Sequence, residues 1–258
     1  MTKIHLTPLT LTLCLCLAGC GGGGGGTNNL AADTGPVAPA AQPGNLWSAT
    51  TSTNRAGDII ILDDGSYYFL YAKVGDPTTL GGAIQGQVSG PNNSGSIAST
   101  NSIDYNWESG SGASAVLSSS LAAQTLALNG SVSYDATERN FSFTSTYRPA
   151  SSQVTSLAEL AGPYVSKDGL MNLTITSAGV MSGAFTSGCN FKGKVTPTTN
   201  YTTVLSVAIT FQGGNCSQGT ASLKGIAIYD TAQRELSAMA IDTPRTSAIL
   251  FQARKPAS

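Results

Sequence analysis

Two copies of one short pattern, Tyr134-Asp135 with Arg139 and Tyr229-Asp230 with Arg234, place a phenol, a carboxylate and a guanidinium at the same spacing in both halves of the chain. Such a trio can hold a polar ligand. It can equally cap a hairpin, the Asp accepting turn N–H groups while the Arg closes a surface ion pair. Recurrence in both halves favours the hairpin. The remaining chemistry is sparse. The only histidine is His5, and the cysteines are Cys14, Cys16, Cys20, Cys189 and Cys216. Asp63-Asp64 is an adjacent carboxylate pair, but neighbouring strand residues point to opposite faces, and Asp64-Gly65 reads as a turn. Asp104 and Glu108 share a face four residues apart, about 13 Å along a strand, which is too far for either glycosidase geometry.

The elements that must carry these groups begin after residue 45. Residues 1–19 read as a secretory signal peptide: Lys3 precedes an apolar stretch that is too short to span a bilayer and ends in small residues. Leu17-Ala18-Gly19-Cys20 resembles the lipobox of bacterial lipoproteins, in which the cysteine becomes the lipidated first residue of the mature chain. The resemblance implies three acyl chains on Cys20, each buried CH₂ contributing about 0.8 kcal/mol, so that anchoring is stable. Gly21 after the cysteine, where Asp would act as a retention signal, implies sorting to the outer membrane. Six glycines and a Gly, Ala, Pro and Asn-rich stretch then fill residues 20–45 without apolar periodicity. About 25 residues of such coil reach about 27 Å, enough to hold a folded part clear of the lipid surface.

Removing residues 1–19 takes away His5, Cys14 and Cys16. A chain without histidine has no Ser-His-Asp triad, no imidazole base and no His-rich zinc site. With Cys20 acylated, Cys189 and Cys216 remain as a pair that an exported protein oxidises to a disulfide. The reading is therefore a non-enzyme with no catalytic residues, no metal ligands and no cofactor. Twelve basic and 14 acidic residues remain, a net charge of −2 with no basic cluster, which argues against nucleic acid as a partner. Charged residues make up only 10% of the chain, whereas Ser and Thr number 31 and 30, a profile suited to solvent-facing β-strand positions.

"LNGSVSYDATERNFSF" (128–143) aligns with "LKGIAIYDTAQRELSA" (223–238), and "AIQGQV" (83–88) with "NFKGKV" (190–195), pairing Gly130 with Gly225 and Gly86 with Gly193. Two blocks in the same order argue for a duplication. "GDIIILDDGSYYFLYA" reads as a hairpin about Asp64-Gly65, and "MNLTITSAGVMSGAF" as another about Gly179. In "SIDYNWE", Ile103, Tyr105 and Trp107 share one face and Asp104, Asn106 and Glu108 the other. The fold class is all-β, with two small antiparallel meander domains at 46–149 and 157–258, a linker at 150–156 with one helical turn at most, and the disulfide in the second domain. About eight strands in each can hide their edges by closing, which favours two up-and-down barrels; two β-sandwiches, or one sheet shared by both copies, are the alternatives.

Trp47, Tyr105 and Trp107 are the candidate surface-binding residues. Aromatics beside Asp and Asn suit stacking on sugar rings, while their alternation with polar residues favours a core role. "SGSGAS" (109–114) looks like the inhibitory loop of membrane-bound lysozyme inhibitors, but the basic residue that such a loop uses is missing before Arg139. More broadly the chain resembles two-repeat lipoproteins of Gram-negative bacteria in "LWSATTS" (46–52), "LDDGSYY" (62–68), "GCNFKG" (188–193), Tyr229-Asp230 with Arg234, and Arg245-Thr246. The resemblance implies location and fold and carries over no activity. The function expected is that of an outer-membrane-anchored lipoprotein, held through Cys20 on the periplasmic or the outer face, with a binding or envelope-structural role towards a protein or glycan. The alternatives are a carrier of small apolar ligands and an inhibitor of a hydrolase such as lysozyme. Replacing Cys20 with Ser is expected to abolish palmitate incorporation and leave an unprocessed precursor, as globomycin would; unchanged processing would refute the lipidation.

Overall fold

The computed structural model describes residues 46–89, 95–122, 124–136, 139–148, 156–198 and 203–256. The signal peptide, Cys20, the tether and most of the linker lie outside the described residues. Eight strands come first: β1 (Leu46–Thr51), β2 (Ala56–Ile61), β3 (Ser66–Lys73), β4 (Asp76–Gln87), β5 (Gly95–Asn106), β6 (Ser111–Leu121), β7 (Leu128–Ser133) and β8 (Phe141–Tyr147). A single helical turn, α1 (Leu157–Leu160), is capped by Ser156 and Glu159, each taking the other's backbone N–H. Eight more strands follow: β9 (Gly162–Ser166), β10 (Met171–Ile175), β11 (Val180–Phe185), β12 (Asn190–Pro197), β13 (Val204–Phe211), β14 (Ser222–Asp230), β15 (Glu235–Ile241) and β16 (Ala248–Arg254). Each set closes on itself as an antiparallel barrel, β1 against β8 and β9 against β16. Barrels, not sandwiches, are the architecture.

Period-two patterning explains the closure. In β6, Ala115, Leu117, Ser119 and Leu121 are buried while Ser114, Val116, Ser118 and Ser120 are exposed. In β10, Met171, Leu173 and Ile175 turn inward and Asn172 and Thr174 outward. Trp47, Ile59, Phe69, Ile84, Leu117 and Phe143 fill the first barrel; Met171, Leu173, Phe191, Ile209, Phe211 and Leu236 fill the second. An apolar inside and a Ser/Thr-rich outside invert the pattern of a transmembrane barrel, whose outer band must be apolar. Away from the contact between the barrels, the described walls carry mainly polar side chains.

The two sequence blocks fare differently. Gly86 lies on β4 and Gly193 on β12, the fourth strand of each barrel. Both are crowded: a Cβ on Gly86 would lie 2.6 Å from the Tyr67 ring, and one on Gly193 would lie 2.3 Å from the Ala208 carbonyl. The second block pairs β7–β8 with β14–β15, strands seven and eight of one barrel with six and seven of the other, so the two Tyr-Asp turns occupy opposite barrel ends. The likeness there reflects shared local demands, a glycine where strands crowd and an Asp turn after it, and not equivalent position.

Residues 46–148 and 156–256 pack side by side. Leu46, Ile60, Tyr68, Leu70, Ala83 and Tyr105 on the outside of the first barrel meet Val204, Ile226, Ile228 and Met239 on the outside of the second. Arg245, in the turn between β15 and β16, latches this seam. Its Nη1 donates to the Asn101 carbonyl at 2.7 Å and its Nη2 to the Gln85 carbonyl at 2.6 Å, while its own carbonyl accepts from the Tyr105 hydroxyl at 2.8 Å. Cys189, before β12, and Cys216, in the β13–β14 loop, form the expected disulfide. Closing a loop with a sequence separation of 27 is worth about 3.5 kcal/mol in the chain-entropy model. Replacing both cysteines with Ser is therefore expected to lower the unfolding free energy in urea by about that amount; an unchanged midpoint would contradict it.

Candidate functional site

Chemistry-bearing side chains gather at several places among the described residues, and two of these hold candidate residues of the sequence. The first is the end of the first barrel formed by the β1–β2, β3–β4, β5–β6 and β7–β8 turns. Asp104, on β5, points into the barrel and is 2% exposed. Its Oδ1 accepts from the Tyr71 hydroxyl at 2.7 Å, and its Oδ2 accepts from the Tyr134 hydroxyl at 3.0 Å with Arg139 Nη2 at 3.4 Å. Gly82 makes room, since a Cβ there would lie 2.1 Å from the Tyr71 hydroxyl. Burial raises the Asp104 carboxyl above its usual range, against the lowering effect of the Tyr71, Tyr134 and Arg139 contacts. Burial and the neighbouring Asp104 charge push the Tyr71 and Tyr134 phenols up as well. Arg139 stacks over Tyr134 with 4.6 Å to the ring centroid, and Arg55 over Tyr71 with 5.3 Å. A cavity of about 240 Å³ opens above this cluster. Both oxygens of the carboxylate are occupied, so the constellation ties the strands and turns of this barrel end together.

The second place is a cleft of about 550 Å³ where the two barrels meet, walled by Trp107 and Glu108 from the first and by Lys167, Asp168, Phe185 and Leu250 from the second. Trp107 is 42% exposed. Glu108 pairs with Arg55 and accepts from the Val74 amide at 3.3 Å. Asp168 Oδ1 accepts from the Leu170 amide at 2.9 Å and the Ser166 hydroxyl at 2.5 Å. Those bonds hold its carboxyl below the usual range against a burial penalty that would raise it. The cleft has an open indole on one wall, aromatic and aliphatic side chains on the other and charged groups at the rim.

The candidate aromatics separate. Trp47 is 2% exposed inside the first barrel, with its indole N–H donating to the Leu126 carbonyl at 2.6 Å. Tyr105 is 8% exposed between the barrels. Both leave the list of surface-binding candidates, because each apolar ring is covered and each polar tip is bonded. Trp107 remains. The core expected on the Ile103–Tyr105 face of β5 is inverted: that face meets the second barrel, and the barrel interior receives Asp104. The Tyr-Asp motif also divides. Asp230 accepts from the Gln233 amide at 2.9 Å, as a hairpin cap should, whereas Arg139 turns onto buried Asp104. Cys20 lies outside the described residues. The Asp104 cluster had one sequence signal, a lone carboxylate in a β-alternation with the Tyr134–Arg139 motif downstream. The cleft had none, because it arises from how the barrels abut.

No family model matches the chain, and no curated protein matches it. Among solved structures it is similar to the crystal structure of a "putative outer membrane protein" from Bacteroides fragilis, with 10% identity and a TM-score of 0.27 over 81% of this chain and 94% of that one.

A raised carboxyl pKa makes the pH dependence of the Asp104 cluster testable. A folded pKa above the unfolded one contributes stability at low pH that is lost as pH rises through the folded value. The stability of the protein minus that of its Asp104→Asn variant should therefore grow as pH falls from neutrality and level off below the unfolded value of about 3.9. Urea titrations across this range check it, and a difference that grows with rising pH would contradict it.

Proposed function

We propose that this protein is a lipid-tethered lipoprotein of the outer membrane that binds a partner without catalysis, using the cleft between its two barrels. The observation that carries the binding role is the open indole of Trp107 on the wall of a cleft of about 550 Å³, in a molecule whose other large aromatics are mostly buried. The tether follows from the Leu17–Cys20 motif and the glycines after it, and the mainly polar barrel walls agree with an anchor that is lipid and not protein. The side chains support the non-catalytic reading. Asp104 and Glu108 are each tied to an arginine, Arg139 and Arg55, and the chain after residue 19 has no imidazole. The partner is a protein or a glycan of the envelope. A photo-reactive residue at position 107 is expected to form a discrete adduct in cells, whereas the same residue at Lys192, on the outer wall of β12, forms none. No adduct at 107, or equal adducts at both sites, would overturn the binding role.

A further inference from the structure

The seam of the second barrel is incomplete. β16 pairs with β15 from Ala248 through Arg254 but with β9 only at Ala253 and Arg254. Beyond those pairs, the Lys167 amide donates to the Gln252 carbonyl at 2.9 Å. Main-chain groups alternate in direction along a strand. The Gln252 carbonyl faces β9, so the N–H and C=O of Leu250 face the same way. There β9 has ended: the chain turns at Ser166–Leu170, held by the Asp168 carboxylate. Among the described residues no strand covers Leu250 on that side, and Leu250 borders the cleft.

The neighbouring arm of the first barrel already docks on this edge, through side-chain surrogates. The Leu80 amide donates to Gln252 Oε1 at 3.2 Å, and Gln252 Nε2 donates to the Thr78 carbonyl at 2.9 Å. An extended chain thus lies beside β16 without becoming a strand of it, and the edge at Leu250 stays open between that arm and the β9–β10 turn. Charge identifies the occupant further. Lys73 and Lys167 both line the cleft, and neither has a carboxylate of the described residues within salt-bridge range; Lys167 Nζ donates to the Thr78 carbonyl. The carboxylates nearby are committed, Glu108 to Arg55 and Asp168 to its own turn, where the Lys73 charge also favours its ionised form.

We infer that the open seam between β9 and β16 takes an extended acidic peptide segment of a partner, which adds a short strand against Leu250, lays an apolar side chain on Trp107 and meets Lys73 and Lys167 with a carboxylate. This rests on the cleft being the binding surface. Sheet edges are templates for such addition: main-chain hydrogen bonds supply affinity, and pockets for alternate side chains supply selectivity.

The test is selection of a displayed library of linear seven-residue peptides against the full mature chain in detergent micelles, followed by amide exchange with the selected peptides. Enriched peptides should alternate apolar residues with Glu or Asp. They should bind at least tenfold more weakly to the Lys73→Glu, Lys167→Glu double variant, and should slow exchange of the Leu250 amide at least tenfold. The exchange readout in the unaltered protein stands whether or not the variant folds. Enrichment of peptides that leave Leu250 exchange unchanged, or no enrichment, would overturn the inference. A saccharide that quenches Trp107 while no peptide is enriched would overturn it yet leave the binding role of the cleft intact, whereas loss of the in-cell adduct at 107 would remove both.

Discussion

A closed barrel of eight strands has an interior just wide enough for side chains to fill, and that limit governs the rest of this molecule. Trp47, Phe69 and Phe143 occupy one interior and Phe191, Phe211 and Met171 the other. Chemistry is pushed to the ends and to the outside. The polar end of the first barrel spends its groups on itself, with Asp104 satisfied by two phenols and a guanidinium. What remains open is the cleft where the barrels meet.

That surface exists because part of each outer wall departs from the Ser/Thr rule. Ile60, Tyr68, Leu70, Ile226, Ile228 and Met239 are strand residues on the outward side, yet buried. On a solitary barrel they would form an exposed apolar patch, which soluble proteins avoid. Packed together, and pinned by Arg245 across the two sets of strands, they turn two domains into a single frame. The cleft by Trp107 is a by-product of that frame: its walls come from both barrels, and the short β9 leaves its floor unfinished. Fold, seam and candidate site are consequences of one packing arrangement.

Much of the architecture was legible from residue alternation. The Asp64-Gly65 and Gly179 hairpins, the eight-strand domains and the pairing of Cys189 with Cys216 follow from period-two patterning, turn residues and redox reasoning. Their causes are local. The misreadings have tertiary causes. Tyr105 reads as a surface candidate because no alternation rule reveals that a second barrel will cover it. Asp104 reads as outward because a buried carboxylate is the exception to the rule, tolerated here only by Tyr71, Tyr134 and Arg139, residues 33, 30 and 35 positions away. The second repeat block suggested equivalence where the strand order shows displacement, since similar turns recur wherever a hairpin meets a crowded strand. The cleft depends on two domains meeting, which single-segment reasoning does not reach.

The central claim is that the two barrels are one body, and calorimetry of the mature chain tests it most directly. If the seam of Ile60, Leu70, Ile226 and Met239 with the Arg245 latch couples them, unfolding is a single transition with equal calorimetric and van't Hoff enthalpies. Two separate transitions, with the disulfide-bonded barrel melting apart from the other, would contradict the account.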